Sequence, residues 1–233
     1  MNEPPKRRMV RAPIAGVVRA EAVRLKSGKT RSASSRAWLE RQISDPFAAE
    51  ARAKGYRSRA AFKIAEIDDR FRLIRRGVRV IDLGCAPGGW LQVALERGAG
   101  QVVGVDLLAI APIPPAEILL GDFTGEGMAE RLIAALSGAP DLVLSDMAPN
   151  TTGHQRTDHL RIVALLEAAA DFAIATLKPG GAFLAKAFQG GETGALSSKL
   201  KEAFAEVRHV KPNASRAESS EVYLLARGLR RPS

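Results

Sequence analysis

The residue types and spacings that could support chemistry lie in two apolar stretches of the chain. Lys186 interrupts the run GAFLAKAF, which is typical of a buried strand. A lysine buried in such a strand must be paired with a carboxylate or act in a reaction. The alternative to a catalytic lysine is an ion pair that takes no part in chemistry. The second stretch, VIDLGCAPGGW at residues 80–90, is an apolar run followed by a loop with almost no side chains. Such a loop lets a ligand approach the backbone closely.

The glycine loop narrows the class of ligand. It matches neither the G-x-G-x-x-G pattern of dinucleotide sites nor a P-loop, and the acid before it, Asp82, disfavours a pyrophosphate. Asp106 and Asp122 follow the next two β-rich runs, where carboxylates can accept hydrogen bonds from a ribose and from an adenine amino group. S-adenosylmethionine has an ammonium group, a ribose and an adenine but no phosphates. We therefore expect it to bind at Gly88 and Gly89. The alternative is a tight turn whose neighbouring aspartates only cap helices.

These residues need a sheet to position them, and the pattern after Gly77 supplies one. Strands are predicted at 78–83, 101–107, 117–120, 141–146, 181–187, 206–210 and 221–226. Helices are predicted at 46–54, 58–71, 88–97, 126–137, 158–177 and 194–205. The alternation predicts an α/β fold: a doubly wound, mostly parallel seven-stranded Rossmann-like sheet with helices on both faces and ligands at the carboxyl ends of its strands. No helix separates the last two strands, so one of them should run antiparallel.

The positive charge lies in the first third of the chain. The formal net charge is +10; residues 1–36 carry ten Lys and Arg against two acids, residues 37–79 carry eleven against six, and acids outnumber bases in the rest. A one-sided basic segment indicates a polyanion partner, while a solubility tail and, less favoured because of its prolines, a transit peptide are the alternatives. We divide the chain into a flexible basic tail (1–36), a helical segment expected to contact RNA or substrate (37–77), the core (78–228) and a C-terminal tail (229–233).

Other features exclude several classes of protein. A single cysteine, Cys85, rules out a disulfide framework and indicates a reducing compartment. No apolar run is long enough to span a bilayer. His154, His159 and His209 have no metal-ligand spacing, so no metal site is predicted.

Several segments, taken in order, resemble the FtsJ/RlmE family of S-adenosylmethionine-dependent RNA ribose 2′-O-methyltransferases. They are VIDLGCAPGGWLQ, VVGVDLL, LLGDF, VLSDMAPN, FLAKAFQG and SRAESSEVYLLA, and upstream GYRSRAAFKIAEID, which is similar to that family's helix before the first strand. The resemblance covers about residues 38–227. It departs at residues 1–36, which the family does not require, and at Ala61, where an aromatic residue is expected.

The resemblance implies a set of site residues. The family's catalytic Lys-Asp-Lys-Glu set is matched by Lys63, Asp146, Lys186 and Glu221. Lys186 is expected to be the base or to align the hydroxyl, with Asp146 orienting its amine beside the methionine of the cofactor. Lys63 and Glu221 are expected to position the 2′-OH. The cofactor-binding residues implied are Gly88, Gly89, Trp90, Asp106, Asp122 and Asp146, although Trp90 is equally compatible with a position in the core.

The resemblance to the bacterial branch also implies a substrate. The substrate implied is a uridine in 23S rRNA of the large ribosomal subunit or its precursor. The enzyme implied is a cytoplasmic monomer. A tRNA 2′-O-methyltransferase and a non-catalytic RNA-binding ribosome-assembly factor are the alternatives. The intact four-residue set argues against the last of these, because a factor without catalysis has no need of a buried lysine.

Overall fold

The computed structural model describes residues 45–148, 155–189, 194–216 and 219–230. The predicted basic tail, His154 and the last three residues therefore lie outside the described residues. The helices are α1 (Pro46–Ala53), α2 (Ala60–Phe71), α3 (Gly89–Glu96), α4 (Met128–Ala135), α5 (Gln155–Thr176) and α6 (Gly194–Ala203). The strands are β1 (Arg79–Leu83), β2 (Gln101–Asp106), β3 (Glu117–Leu120), β4 (Leu142–Ser145), β5 (Ala182–Phe188), β6 (Phe204–Val210) and β7 (Glu221–Leu229). The chain divides into two compact units, Met1–Ala49 and Glu50–Ser233, and all seven strands of the sheet belong to the second.

The strands form one seven-stranded sheet in the order β3-β2-β1-β4-β5-β7-β6. The first five strands in this order are parallel, and β7 runs antiparallel to both of its neighbours. The predicted doubly wound, mostly parallel sheet is confirmed, as is the single antiparallel strand. The chain leaves β1 toward one edge and β4 toward the other, so the order reverses between these two strands. In open α/β sheets, ligands bind outside the carboxyl ends of the strands at that reversal.

Helices cover both faces of the sheet. On one face, α4, α5 and α6 pack over Ile81, Leu83 and Val143. On the other face, α2 and α3 pack over Val80 and Leu142. The alternation of side chains along β1 and β4 assigns successive residues to opposite layers, which is why these strands are almost entirely apolar.

The helix α2 is amphipathic and lies against the sheet. Ala61, Ile64 and Ile67 follow the helical period and are fully buried. The small residue at Ala61 lies where α2 and α3 approach closely, because a Cβ atom on Gly89 would be 3.5 Å from the Ala61 nitrogen and 2.5 Å from the Ser58 hydroxyl. The close contact fixes the start of α2, and with it Lys63, relative to the glycine loop.

The C-terminal hairpin departs from the predicted boundaries. β6 begins at Phe204 and β7 continues to Leu229, because these two residues pair with each other and the ladder runs from this pair to Val210 and Tyr223. The helix α6 therefore ends at Ala203, two residues before its predicted end. Local sequence patterns do not reveal the partner strand, and the pairing sets these boundaries.

Candidate active site

The carboxyl edge of the sheet collects the predicted catalytic residues from four elements. Asp146 follows the last residue of β4, Lys186 lies near the end of β5, and Lys63 lies on α2. Because β7 is antiparallel to β5, its first residues lie beside the last residues of β5, with Phe188 opposite Glu221 and Lys186 opposite Tyr223. The fold thus places the start of the last strand at the same edge as the other three residues.

These four residues form two ion pairs, which together we call the Lys–Asp–Lys–Glu cluster: Lys63, Asp146, Lys186 and Glu221. The Lys186 ammonium nitrogen lies 3.3 Å from Asp146 Oδ1, and it also donates a 2.6 Å hydrogen bond to the Asp146 backbone carbonyl. The Lys63 nitrogen lies 2.6 Å from Glu221 Oε1. Their side chains are only 9–19% exposed, so these charges are held largely away from water. The predicted convergence of the four residues at this edge is confirmed.

Tyr223 connects the two pairs, and sequence reasoning missed it. Its hydroxyl lies 2.8 Å from Asp146 Oδ1 and 3.3 Å from Glu221 Oε1, within donating distance of both. Tyr223 is fully buried, its ring lies 5.7 Å from that of Trp90, and Lys63 lies 5.8 Å above its face. Residues two apart on a strand share a face, so the sequence places Tyr223 beside Glu221, but this spacing alone does not show that Tyr223 also reaches Asp146.

The charges in this cluster shift two pKa values in opposite directions. Burial would raise the pKa of Glu221, but Lys63, the charge of Lys186 and the Ser215 hydroxyl hold this pKa below its ordinary value. Burial and the nearby carboxylates of Asp146 and Glu221 raise the pKa of Tyr223 well above its ordinary value. Glu221 therefore remains an acceptor and Tyr223 remains a donor across the neutral range.

The glycine loop has the backbone geometry that only glycine tolerates. Gly88 has a φ of 109°, and a Cβ there would lie 2.3 Å from the Ile113 side chain. Gly89 is buried and begins α3. Arg57 braces the loop by donating to the Ala111 and Pro112 carbonyls at 2.6 and 2.8 Å and to the Pro87 carbonyl at 3.3 Å.

Carboxylates surround the loop at the ends of β2 and β3. Asp106 accepts hydrogen bonds of 2.8 Å from the backbone N–H groups of Ala86 and Leu108, which fixes its orientation. Asp122 is exposed and accepts from the Thr124 hydroxyl and backbone N–H, and these hydrogen bonds lower its pKa. Each carboxylate keeps lone pairs for a ligand, although Asp122 also stabilises its own turn.

Asp82 provides the test of whether a cationic cofactor fits. It is 1% exposed, and neither of its carboxylate oxygens has a hydrogen-bond partner among the residues that the structure describes. Burial first, and then the charges of Asp146 and Asp106, raise its pKa well above the ordinary value. Three carboxylates, Asp82, Asp106 and Asp146, thus converge at the reversal of strand order, and among the described residues only Asp146 is paired with a cation, Lys186. A ligand carrying an ammonium and a sulfonium charge suits this arrangement, so the residues present fit S-adenosylmethionine.

Several other predicted contributors are used for internal contacts. Trp90 is 3% exposed and donates its indole N–H to the Ala60 carbonyl at 2.8 Å, which ties α3 to α2. Tyr56 donates to Glu96 at 2.5 Å, and Arg59 donates to the Ala214 carbonyl. These contacts hold the glycine loop and α2 in place.

The remaining sequence candidates carry no site. His159 and His209 are exposed, and the described residues contain no group of His, Cys, Asp and Glu that could hold a metal ion. Cys85 is buried behind the loop, where burial and the charges of Asp82 and Asp106 raise its pKa. Within the described ranges, no helix is both long and apolar enough to cross a membrane.

A doubly wound seven-stranded sheet with a glycine loop and strand-end carboxylates at its reversal defines the methyltransferase class of α/β proteins, and comparison with known proteins identifies the family. Residues 56–229 match the family described as FtsJ-like methyltransferase, so the chain belongs to that family and is an enzyme that transfers a methyl group.

The curated relatives include proteins named Ribosomal RNA large subunit methyltransferase E. The one from Caulobacter sp. is 62% identical over 91% of this chain and 94% of its own. The one from Caulobacter vibrioides is 60% identical over 95% of this chain and 99% of its own. Among solved structures, a ribosomal RNA methyltransferase from Plasmodium falciparum is similar with a TM-score of 0.67 and 29% identity, over 75% of this chain and 98% of that one.

Proposed function

We propose that this protein transfers the methyl group of S-adenosylmethionine to the ribose 2′-OH of a uridine in 23S rRNA of the large ribosomal subunit. The observation that carries the proposal is the buried Lys186–Asp146 pair, joined through Tyr223 to the Lys63–Glu221 pair at the ligand-binding edge of the sheet. The names of the curated relatives, which specify large-subunit ribosomal RNA, support the choice of substrate.

The chain's own groups supply the base that a ribose hydroxyl needs. The hydroxyl is a weak nucleophile at neutral pH, so its proton must leave as the oxygen attacks. In its neutral form Lys186 accepts this proton, and the ammonium group that results is balanced by Asp146, 3.3 Å away. Glu221, held as a carboxylate by Lys63, is an acceptor that orients the hydroxyl toward Lys186.

The proposed cofactor contacts follow the edge of the sheet. Gly88 and Gly89 leave room for the ligand beside the backbone, Asp106 accepts from the ribose, and Asp122 accepts from the adenine amino group. Asp146 lies nearest the methionine portion, and Trp90 supports the pocket from behind. When bound, S-adenosylmethionine supplies an electrophilic methyl group and a neutral thioether as leaving group.

The cellular setting is proposed on the same basis. We propose that the protein acts in the cytoplasm as a monomer, on the large subunit or its precursor. The basic segment 1–36 is proposed to add contacts to RNA phosphates, in keeping with its excess of Lys and Arg. The helical segment 37–77 contributes Lys63, and the core 78–228 contributes the rest of the proposed catalytic site.

Mapping 2′-O-methyl groups in RNA from cells with and without the protein tests the proposal. We expect one uridine in 23S rRNA to lose its methyl group in the deletion strain. The wild-type gene and a Lys199→Ala control, which changes an exposed lysine on α6, should restore it, whereas Lys186→Ala should not. Loss of a tRNA methyl group would favour the tRNA enzyme. If the deletion strain loses no methylation site and Lys186→Ala restores its growth, the result would favour the assembly factor.

Measurements on the purified protein test the cofactor and the base separately. Calorimetry should detect binding of S-adenosylmethionine, and binding of NAD in its place would contradict the assignment of the glycine loop. Lys186→Ala should lower the single-turnover rate by roughly 100- to 10,000-fold, which is the range for losing a general base, with cofactor affinity nearly unchanged. A rate near that of the wild type would remove Lys186 from the mechanism.

A further inference from the structure

The edge of the sheet opposite the Lys–Asp–Lys–Glu cluster contains an open cleft of about 750 Å³, which we call the amino-edge cleft. It lies at the starts of β1, β2, β4 and β5, where the chain enters the sheet. The lining residues are Arg75, Arg76, Gly77, Val78, Arg79, Gly100, Gln101, Ser137, Asp141 and Lys178. None of them belongs to the proposed catalytic or cofactor site.

The cleft is strongly basic, and its one carboxylate is already balanced. Burial would raise the pKa of Asp141, but the backbone N–H of Arg79, at 2.9 Å, and an ion pair with Lys178 hold this pKa below its ordinary value. In the described part of the chain, Arg75 and Arg76 have no ion-pair partner. Two exposed guanidinium groups and that of Arg79 are therefore left to attract an anion.

Arg79 is held in a fixed orientation inside the cleft. It is half-buried, and its Nε donates to the Gln101 side chain at 3.2 Å. A Cβ on Gly138 would lie 3.2 Å from Arg79 Nη1, so the glycine at that position leaves space for the guanidinium group. Neither terminal nitrogen donates a hydrogen bond among the described residues. A guanidinium group with its terminal N–H groups open matches the oxygens of a phosphate.

The position of the cleft relative to the proposed catalytic site limits the ligand. From Asp141 to Asp146 the chain follows β4 through five residues, or about 17 Å at the usual rise of a strand. The helix α2 connects the same two edges, with Lys63 in its first turn and Arg75 just beyond its end, and its 12 residues span about 18 Å. An RNA that contacts both places must therefore extend from one edge of the sheet to the other, as a folded RNA domain can.

We propose that the amino-edge cleft is a second RNA-binding site that takes backbone phosphates of the folded RNA around the target nucleotide. The inference rests on the proposed function, because it assumes that RNA occupies the proposed catalytic site. Phosphate contacts position an RNA without reading its sequence. The cleft therefore favours a folded rRNA domain over a short fragment that carries the same uridine.

The test compares two variants that lose equal charge. Arg75→Gln/Arg76→Gln removes two guanidinium groups from the cleft, and Arg131→Gln/Lys201→Gln removes two exposed charges from α4 and α6 that do not line it. Affinity is measured at several salt concentrations for an unmethylated 23S rRNA domain and for a short hairpin excised around the target uridine. Cofactor affinity and thermal unfolding report whether each variant remains folded.

We expect the cleft variant to bind the rRNA domain about tenfold more weakly than wild type. Its slope of log affinity against log salt should fall by roughly 1.4 to 1.8, because each phosphate that is no longer neutralised lowers the slope by about 0.7 to 0.9. Hairpin binding and the control variant should match wild type. Equal effects of the two variants, or an equally weakened affinity for the hairpin, would overturn the proposal. Failure of the wild type to methylate the rRNA domain would overturn the proposed function instead, while the slopes still decide the role of the cleft.

Discussion

Tyr223 holds the two ion pairs of the proposed catalytic site in one arrangement, since its hydroxyl lies within hydrogen-bonding distance of a carboxylate oxygen in each pair. It is a positioning residue, because it acts through Asp146 and Glu221 and contacts no reacting atom in this arrangement. The ring is fully buried against Trp90, so loss of the hydroxyl alone should leave the packing intact.

Tyr223→Phe should therefore lower kcat by roughly 10- to 100-fold. A hydrogen bond to a charged group contributes about 1.5–3 kcal/mol, and about 1.4 kcal/mol is a factor of ten in rate. KM for RNA and the Kd of the cofactor should stay close to wild type. Steady-state kinetics with a cofactor titration check this. Tyr56→Phe, which removes a hydrogen bond to Glu96 on α3, is the matched control, and an equal loss of kcat in both variants would contradict a positioning role.

Substitution of Asp82 should have opposite effects on the free energy of unfolding and on cofactor affinity. Burial and the neighbouring carboxylates raise its pKa above the value in the unfolded chain, so the native state binds more protons over that interval. The free energy of unfolding should then fall as pH rises from the unfolded pKa through the raised native one. Asp82→Asn should remove this loss and increase the free energy of unfolding near neutral pH.

The same substitution should weaken binding of S-adenosylmethionine, because a negative charge near the cofactor's ammonium group is lost. Urea unfolding at pH 5 and pH 8, with calorimetry of cofactor binding, measures both effects. Asp171→Asn, at an exposed carboxylate on α5, should change neither. Tighter cofactor binding together with lower stability would show that the buried carboxylate has another role.

At the scale of the residue, the sequence predicts charged groups better than it predicts their connector. Lys186 stands out because a lysine in an apolar strand is costly, and Asp106 stands out because it ends a strand. Tyr223 does not stand out, because an aromatic residue in a strand is ordinary. Its role depends on β7 lying beside β5, which is a property of pairing that no local pattern contains.

At the scale of the element, the turn from β1 to α3 depends on backbone that side chains would obstruct. Gly88→Ala should lower stability by about 1–2 kcal/mol through its positive φ and weaken cofactor binding, because the new Cβ displaces Ile113 at the edge of the loop. Gly127→Ala is the control, since its φ of 73° carries a similar strain but its Cβ would meet nothing within 4 Å. Thermal unfolding and calorimetry distinguish them. A similar loss of cofactor affinity in both would show that the loop geometry has no specific role.

The existence and order of the elements could be predicted, whereas their lateral arrangement could be predicted only in part. Alternation of strands and helices implies a parallel sheet, and the missing helix between the last two strands implies one antiparallel strand. The length of β6 and β7 could not be predicted, since residues such as Phe204 and Leu229 are strand residues only through each other.

At the scale of the whole molecule, charge is distributed unevenly along the chain. Residues 1–36 carry a net charge of +8, from ten basic and two acidic residues. Deleting them should weaken RNA binding and flatten its dependence on salt by roughly 0.7 to 0.9 for each phosphate that the segment neutralises. Methylation at saturating RNA and the choice of nucleotide should persist, because none of the proposed catalytic residues lies there.

Affinity measured at several salt concentrations for the full-length and truncated proteins checks this prediction. A solubility tail, the alternative interpretation, predicts an unchanged slope. The control is a variant in which an unrelated segment replaces residues 1–36. This segment carries as many lysines as the deleted segment has Lys and Arg. If that control restores the slope, the contribution depends on charge rather than on the particular residues.

The position of β7 has a consequence for the folding of the enzyme during its synthesis. During synthesis Lys63, Asp146 and Lys186 leave the ribosome before Glu221 and Tyr223, which belong to the last strand of the sheet. Until that strand inserts, β5 keeps an open edge and β6 has no neighbour, because β7 is the strand that pairs with both. Insertion of the final strand thus closes the sheet and completes the proposed catalytic site in a single event.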